Sequence, residues 1–347
     1  MRRDDMSIDA RPSGPAGIEP AGSARVLTAT SSTSVSLALG SGGARGLAHI
    51  GVIQWLVENG YLIRAIAGCS MGALVGGIYA TSKLEVYAEW VSGLERAHVM
   101  RLLDPVFDRG LFKGERLMSA LRELIGDCAI EELPVPFTAV ATDLASGEEV
   151  WLRHGRLFDA IRASIATPLI FTPFQHGERM LVDGALVNPI PIAPMYDQRT
   201  DLTIAVDLCG PAGAGSARAR AALREDGASG VRGFIETQLG RASDASARWI
   251  TEFAVASMQA MQESIRPRLA DLQPATRSPD ITVEIPRDAC GMHEFWRAEE
   301  LIALGRERAA QAFAARASAN TEPTPASVRI GPVEMPPRLA EASTGSA

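Results

Sequence analysis

The sequence predicts an α/β fold of three layers, with a mainly parallel central sheet covered by helices on both faces. Three observations predict it. Short apolar runs of strand length recur along the chain, the first two are followed directly by glycine-rich breaks, and stretches with helical apolar spacing come next. Strand, tight loop and helix in repetition build a parallel sheet, because each parallel neighbour needs a crossover to return the chain to its starting end. The 347 residues, 46% of them hydrophobic, can bury one large core.

Residues 1–33 are small, polar and rich in Pro and Gly, and are predicted to be disordered. Val35–Leu39 is the first strand, and the stretch from Leu47 to Leu56 has the apolar spacing of a helix packed on a sheet, with Gly60 as its left-handed stop. A second strand over Ile63–Ala67 runs into Gly68-Cys69-Ser70-Met71-Gly72, and a small-residue helix follows from Ala73 to Tyr79. Later strands are expected at Phe137–Thr142, Arg179–Val182, Leu202–Asp207 and Ile281–Ile285. Helices are expected at Lys113–Ile125, Leu157–Ser164, Ala242–Ile265 and Arg297–Phe313. The stretch 210–240, dominated by Ala, Gly, Arg and Ser, reads as a flexible insertion in a domain spanning 34–315, and 316–347 reads as a second disordered tail. In the helix over 242–265, Trp249, Ile250, Phe253, Met258 and Met261 suit an ordinary core helix, the lining of an acyl groove, or contact with a membrane surface.

Composition excludes several classes of function. A formal net charge of −7 gives no electrostatic reason to expect nucleic acid. Cys69, Cys128, Cys209 and Cys290 form no CxxC pair and no metal-spaced cluster with His, so neither disulfides nor a structural metal is expected. The start of the chain lacks the apolar centre of a signal peptide, and no apolar run is long enough to span a bilayer, so a cytoplasmic protein is expected.

Chemistry concentrates at two glycine-rich breaks. Gly68-x-Ser70-x-Gly72 between a strand and a helix is the setting of a nucleophile elbow. There Ser70 would stand in a strained turn above the sheet, with glycines two residues either side because side chains would strike neighbouring backbone. Cys69 is a rival nucleophile, but its place just before the centre of the elbow points it into the core. Gly40-Ser41-Gly42-Gly43-Ala44-Arg45-Gly46 could be a nucleotide loop. Arg45 occupies the position where a dinucleotide fingerprint needs its third glycine, and no Lys-Ser or Lys-Thr pair follows. What remains is a run of backbone N–H groups at a helix start, suited to holding an oxyanion. Asp183, in Val182-Asp183-Gly184-Ala185, is delivered by a strand, with Gly184 allowing a tight turn. By itself an aspartate before glycine is an ordinary turn residue.

Taken together and in this order, the glycine-rich loop, GxSxG and Asp-Gly-Ala resemble the patatin-like phospholipase family. The stretch from Leu37 to Gly51 is similar to its bacterial branch almost residue for residue, with Ser41 standing for the first of three glycines. Ala141-Thr142-Asp143-Leu144 and the run from Arg162 to Pro168 also resemble segments of that family. The resemblance implies a Ser70–Asp183 dyad, an oxyanion hole of Gly42, Gly43 and Ala44 amides braced by Arg45, and hydrolysis of lipid esters without metal or cofactor. Peripheral contact with a membrane would suit such a substrate, and the oligomeric state is left open. Three other readings compete: an α/β-hydrolase with His293 as base, an acyltransferase sharing the elbow, and a non-catalytic adaptor that retains the fold.

Overall fold

The structure, a computed structural model, describes residues 32–102, 105–106, 111–168, 170–213 and 278–321. The expected disordered start, most of the 210–240 insertion, the helix over 242–265 and the tail beyond 321 lie outside the described residues.

The first half of the chain lays down β1 (Ser34–Leu39), α1 (Ala48–Glu58), β2 (Leu62–Cys69), α2 (Met71–Ala80), α3 (Leu84–Ser92) and α4 (Arg96–Leu102). A short ribbon of β3 (Pro105–Val106) and β4 (Leu111–Phe112) leads to α5 (Glu115–Ile125). There follow β5 (Phe137–Asp143), β6 (Glu149–Leu152), α6 (Leu157–Ser164), β7 (Phe174–His176) and β8 (Arg179–Asp183). The described chain closes with β9 (Leu202–Gly210), β10 (Ile281–Pro286) and α7 (Ala298–Thr321). At the end of α1, Gly60 adopts φ +79°; its N–H donates to Val57 O while that of Tyr61 donates to Leu56 O, the paired closure that a left-handed residue permits. Helix α7 runs on to Thr321, past the apolar period that ends at Phe313, because Ala314-Ala315-Arg316-Ala317 are strong helix formers needing no buried face.

The sheet order is β10-β9-β1-β2-β5-β8-β7, with β6 also paired to β5. The five strands from β10 to β5 are mutually parallel, while β6, β8 and β7 join antiparallel. This is an α/β fold with a mainly parallel central sheet. Residue alternation divides the faces. Leu37, Leu39, Ile66, Ile204 and Val206 enter the large core shared with α1, α2, α6 and α7. Ala38, Ala65, Ala67 and Ala205 point the other way, and their small side chains let the 190–196 segment, with its 3-10 turn at Ala193–Met195, lie close on that face.

Strand β5 brings two distant parts of the chain together. Along it, Val140 pairs with Cys69 of β2 and with Trp151 of β6, whereas Ala141 pairs with Asp183 of β8 and with Val150 of β6. Since β6 occupies one edge of β5, β2 and β8 must share the other. They run toward each other along it, and their ends meet between Cys69 and Asp183.

Candidate active site

Ser70 closes β2 and caps α2 with φ 54° and ψ −121°, a region L-residues avoid and one that costs on the order of 1–3 kcal/mol. The surroundings hold it there. Its N–H donates to Ser164 Oγ at 2.9 Å, and that hydroxyl donates in turn to Val140 O at 2.6 Å. A Cβ on Gly68 would lie 2.3 Å from Gly72 O, and one on Gly72 would lie 2.1 Å from Leu39 O. The elbow therefore presses on the end of β1, and the glycine-rich loop that follows β1 lies next to it.

The Ser70 hydroxyl donates to Asp183 Oδ2 at 2.8 Å. Both residues are nearly inaccessible, Ser70 at 7% and Asp183 at 4% exposure. The carboxylate accepts three further hydrogen bonds: from Thr167 Oγ1 to Oδ2 at 2.7 Å, from Ala185 N to Oδ1 at 3.0 Å, and from Cys69 Sγ to Oδ1 at 3.7 Å. Burial raises the Asp183 pKa, and these donors, the Ala185 amide first, pull against it. Gly184 fits beneath Val140, where a Cβ would come within 2.4 Å of the carbonyl oxygen. Cys69 is fully buried, its thiol pushed well up first by desolvation and then by the Asp183 charge, which disfavours the thiolate a nucleophile requires.

The glycine-rich loop is fastened at both ends. Gly40 N donates to Val206 O, and Ser41 N donates to Pro189 O. Arg45, 7% exposed, turns back to donate from Nε to Gly42 O and reaches across from Nη1 to Arg287 O. Gly43 adopts φ +59°. The Ala44 amide is engaged, donating to Met292 O at 2.9 Å, whereas the amides of Gly42 and Gly43 meet no acceptor among the described residues.

Neither His293 nor His49 contacts Ser70 or Asp183 among the described residues. His293 follows the segment that caps Ala44, and its ring packs on Trp296; none of its contacts among the described residues is with Ser70 or Asp183. His49 is fully buried on α1 with Nε2 against Gly40 O. No group of three or more His, Cys, Asp or Glu among the described residues could hold a metal ion.

The family model for patatin-like phospholipases matches residues 37–196. An uncharacterized NTE family protein of Mycobacterium tuberculosis (strain ATCC 25618 / H37Rv) is 37% identical over 345 residues, covering 85% of this chain and 96% of that protein. The chain belongs to the patatin-like phospholipase family. Another similar protein of the group is neuropathy target esterase sws of Drosophila melanogaster, 28% identical over 183 residues, or 50% of this chain and 13% of that one. The crystal structure of VipD from Legionella pneumophila aligns at 13% identity with a TM-score of 0.39, covering 82% of this chain and 67% of that one. Membership of the patatin-like family implies lipid ester hydrolase activity in general. No helix among the described residues of this patatin-like protein is long and apolar enough to cross a membrane.

Sequence reasoning missed Thr167 and Ser164 as parts of the site. Both lie in the 162–168 run that resembles the family, Ser164 as the last residue of α6 and Thr167 in the turn before Pro168, and the resemblance of that run was the one signal that could have found them.

Proposed function

We propose that this protein is a serine acyl hydrolase of lipid esters (phospholipids, lysophospholipids or acylglycerols), acting through a Ser70–Asp183 dyad in a domain spanning 34–315. The observation that carries the reading is the 2.8 Å contact between a buried carboxylate and a serine hydroxyl held at φ 54° on a strand-to-helix turn. Asp183 Oδ2 takes the hydroxyl proton as Ser70 Oγ attacks the ester carbonyl. The amides of Gly42 and Gly43 hold the oxyanion, and each such donor is worth on the order of 3 kcal/mol. Ala44 joins them only if Met292 O moves away. The alcohol leaves with the proton from Asp183, and the same carboxylate then draws a proton from water as that water attacks the acyl-enzyme. The bond from Ser70 Oγ to the acyl carbon breaks, the acid is released, and the proton on Asp183 returns to Ser70 Oγ.

Asp183 suits the part of base because burial raises its proton affinity above that of an ordinary carboxylate. Arg45 braces the oxyanion loop through carbonyl groups. The position of Arg45 beside that loop also supplies positive potential.

The test is labelling with a fluorophosphonate probe, run beside hydrolysis of a short-chain p-nitrophenyl ester, for wild type, Ser70→Ala and Asp183→Asn. Both variants are expected to lose labelling and hydrolysis by at least a thousandfold. Near-wild-type turnover by Asp183→Asn would overturn the dyad, and turnover by Ser70→Ala would overturn the nucleophile.

A further inference from the structure

The Asp183 carboxylate receives more hydrogen bonds than a two-residue mechanism needs, and the extra ones are not equivalent. Ala185 N and Cys69 Sγ address Oδ1. Thr167 Oγ1 addresses Oδ2, the oxygen that the Ser70 hydroxyl contacts, and does so at 2.7 Å. The alternative acceptor for the Thr167 hydroxyl, Ile165 O, is more distant at 3.4 Å. The turn carrying Thr167 is itself tied to β8, since Asp183 N donates to Ala166 O at 3.0 Å. Backbone and side chain thus fix the threonine against the aspartate from two directions.

We infer that Thr167 is a positioning residue, whose hydroxyl holds the Asp183 carboxylate with Oδ2 turned toward Ser70. The inference rests on the Ser70–Asp183 dyad and adds a third side chain to it. A carboxylate held only at Oδ1 can rotate about its Cβ–Cγ bond, and Oδ2 then leaves the line of the serine hydroxyl. The same hydrogen bond favours the ionised carboxylate over the neutral acid, because a hydroxyl donates more strongly to an anion. It opposes the desolvation that raises the carboxylate's pKa. Cys69 does less of this work, as a weak thiol donor at 3.7 Å on the other oxygen.

The experiment is the pH dependence of the second-order rate of fluorophosphonate labelling, which reports the free enzyme's base before any acyl-enzyme forms. Wild type, Thr167→Val, Thr167→Ala, Thr167→Ser and Asp183→Asn are compared. Thr167→Val keeps the shape and removes the donor. Its acid limb should move to higher pH by about one unit, so that labelling below the limb falls about tenfold. Thr167→Ala should move it the same way, which covers the case of a valine variant that does not fold. Thr167→Ser should return the limb to the wild-type position. Limbs of the valine and alanine variants that coincide with wild type, beside an unreactive Asp183→Asn, would overturn the role of Thr167 and leave the dyad intact. Wild-type labelling by Asp183→Asn would overturn both.

Discussion

His49 is expected to make this protein acid-labile over a defined window. The ring is fully buried on α1, with Nε2 at 2.8 Å from Gly40 O and Nδ1 without a hydrogen-bond partner among the described residues. A carbonyl can accept from a neutral imidazole, but a second proton on Nδ1 would be buried with nothing to receive it. Desolvation accordingly lowers the pKa to about 4 from 6.5. The unfolded chain then binds a proton below pH 6.5 that the native protein refuses until about pH 4. Stability is therefore complete above pH 6.5 and is lost as the pH falls toward 4. A shift of that size limits the loss to about 3 kcal/mol, of which about 2 kcal/mol falls between pH 7 and pH 5.

The perturbation is His49→Gln, which keeps an N–H donor for Gly40 O and does not titrate. Urea unfolding of both proteins at pH 7 and pH 5 gives four free energies, and the difference of differences isolates the histidine. The raised Asp183 pKa acts in the opposite sense, since the native state takes up a proton there before the unfolded chain does. That contribution is common to both proteins and cancels. Wild type should lose about 2 kcal/mol more than the variant on acidification. Equal losses would refute the reasoning, because they would mean that the imidazolium is accommodated in the folded state. The consequence reaches the site, because the carbonyl held by His49 belongs to the first residue of the glycine-rich loop.

Two further outcomes are expected. Gly72→Ala places a Cβ 2.1 Å from Leu39 O, where backbone must give way, so thermal melting should show a drop equivalent to at least about 3 kcal/mol; an unchanged melting temperature would mean that α2 is seated less tightly against β1 than this contact requires. The Cys69 thiol should resist iodoacetamide in the folded protein at pH 8 and alkylate only on unfolding, as followed by peptide mass spectrometry, because burial and the Asp183 charge both oppose the thiolate.

The fold was legible where local chemistry decides it. Apolar runs and glycine breaks predicted β1, β2, β5, β8, β9 and β10 close to their observed bounds, because a buried strand must be apolar and its exit must turn sharply. The shortest strands were not legible: β6 and β7 are three or four residues of mixed character, too short to establish a period. Helix α3 was missed although Leu84, Tyr87, Ala88 and Val91 keep the i, i+3, i+4, i+7 spacing of a helix. In the site, Ser70 and Asp183 carry their own motifs, whereas the state of the Ala44 amide does not. Whether that N–H is open depends on Met292 O, a backbone carbonyl whose position no side-chain pattern encodes. Thr167 was hidden for a related reason: a threonine before a proline is an ordinary turn until β8 is known to lie beside it.

That strand also explains how two residues so far apart in sequence meet without a third between them. Asp183 sits opposite Ala141, one residue beyond the Val140 that faces Cys69, so the carboxylate starts where the serine-bearing strand stops. Side chains alternate along a strand, and a slip of β8 by one residue would turn Asp183 to the opposite face of the sheet. Three contacts oppose the slip: Thr142 Oγ1 donates to Asp183 O, Asp183 N donates to Ala166 O, and Gly184 fills the space against Val140 O. None of the three touches the carboxylate, yet together they determine whether it faces Ser70. The 2.8 Å contact is thus a consequence of sheet register before it is a property of the two side chains. Substitutions at Thr142 should disturb the site by moving a whole strand, which separates them from changes at Thr167, where only the orientation of the carboxylate is at stake.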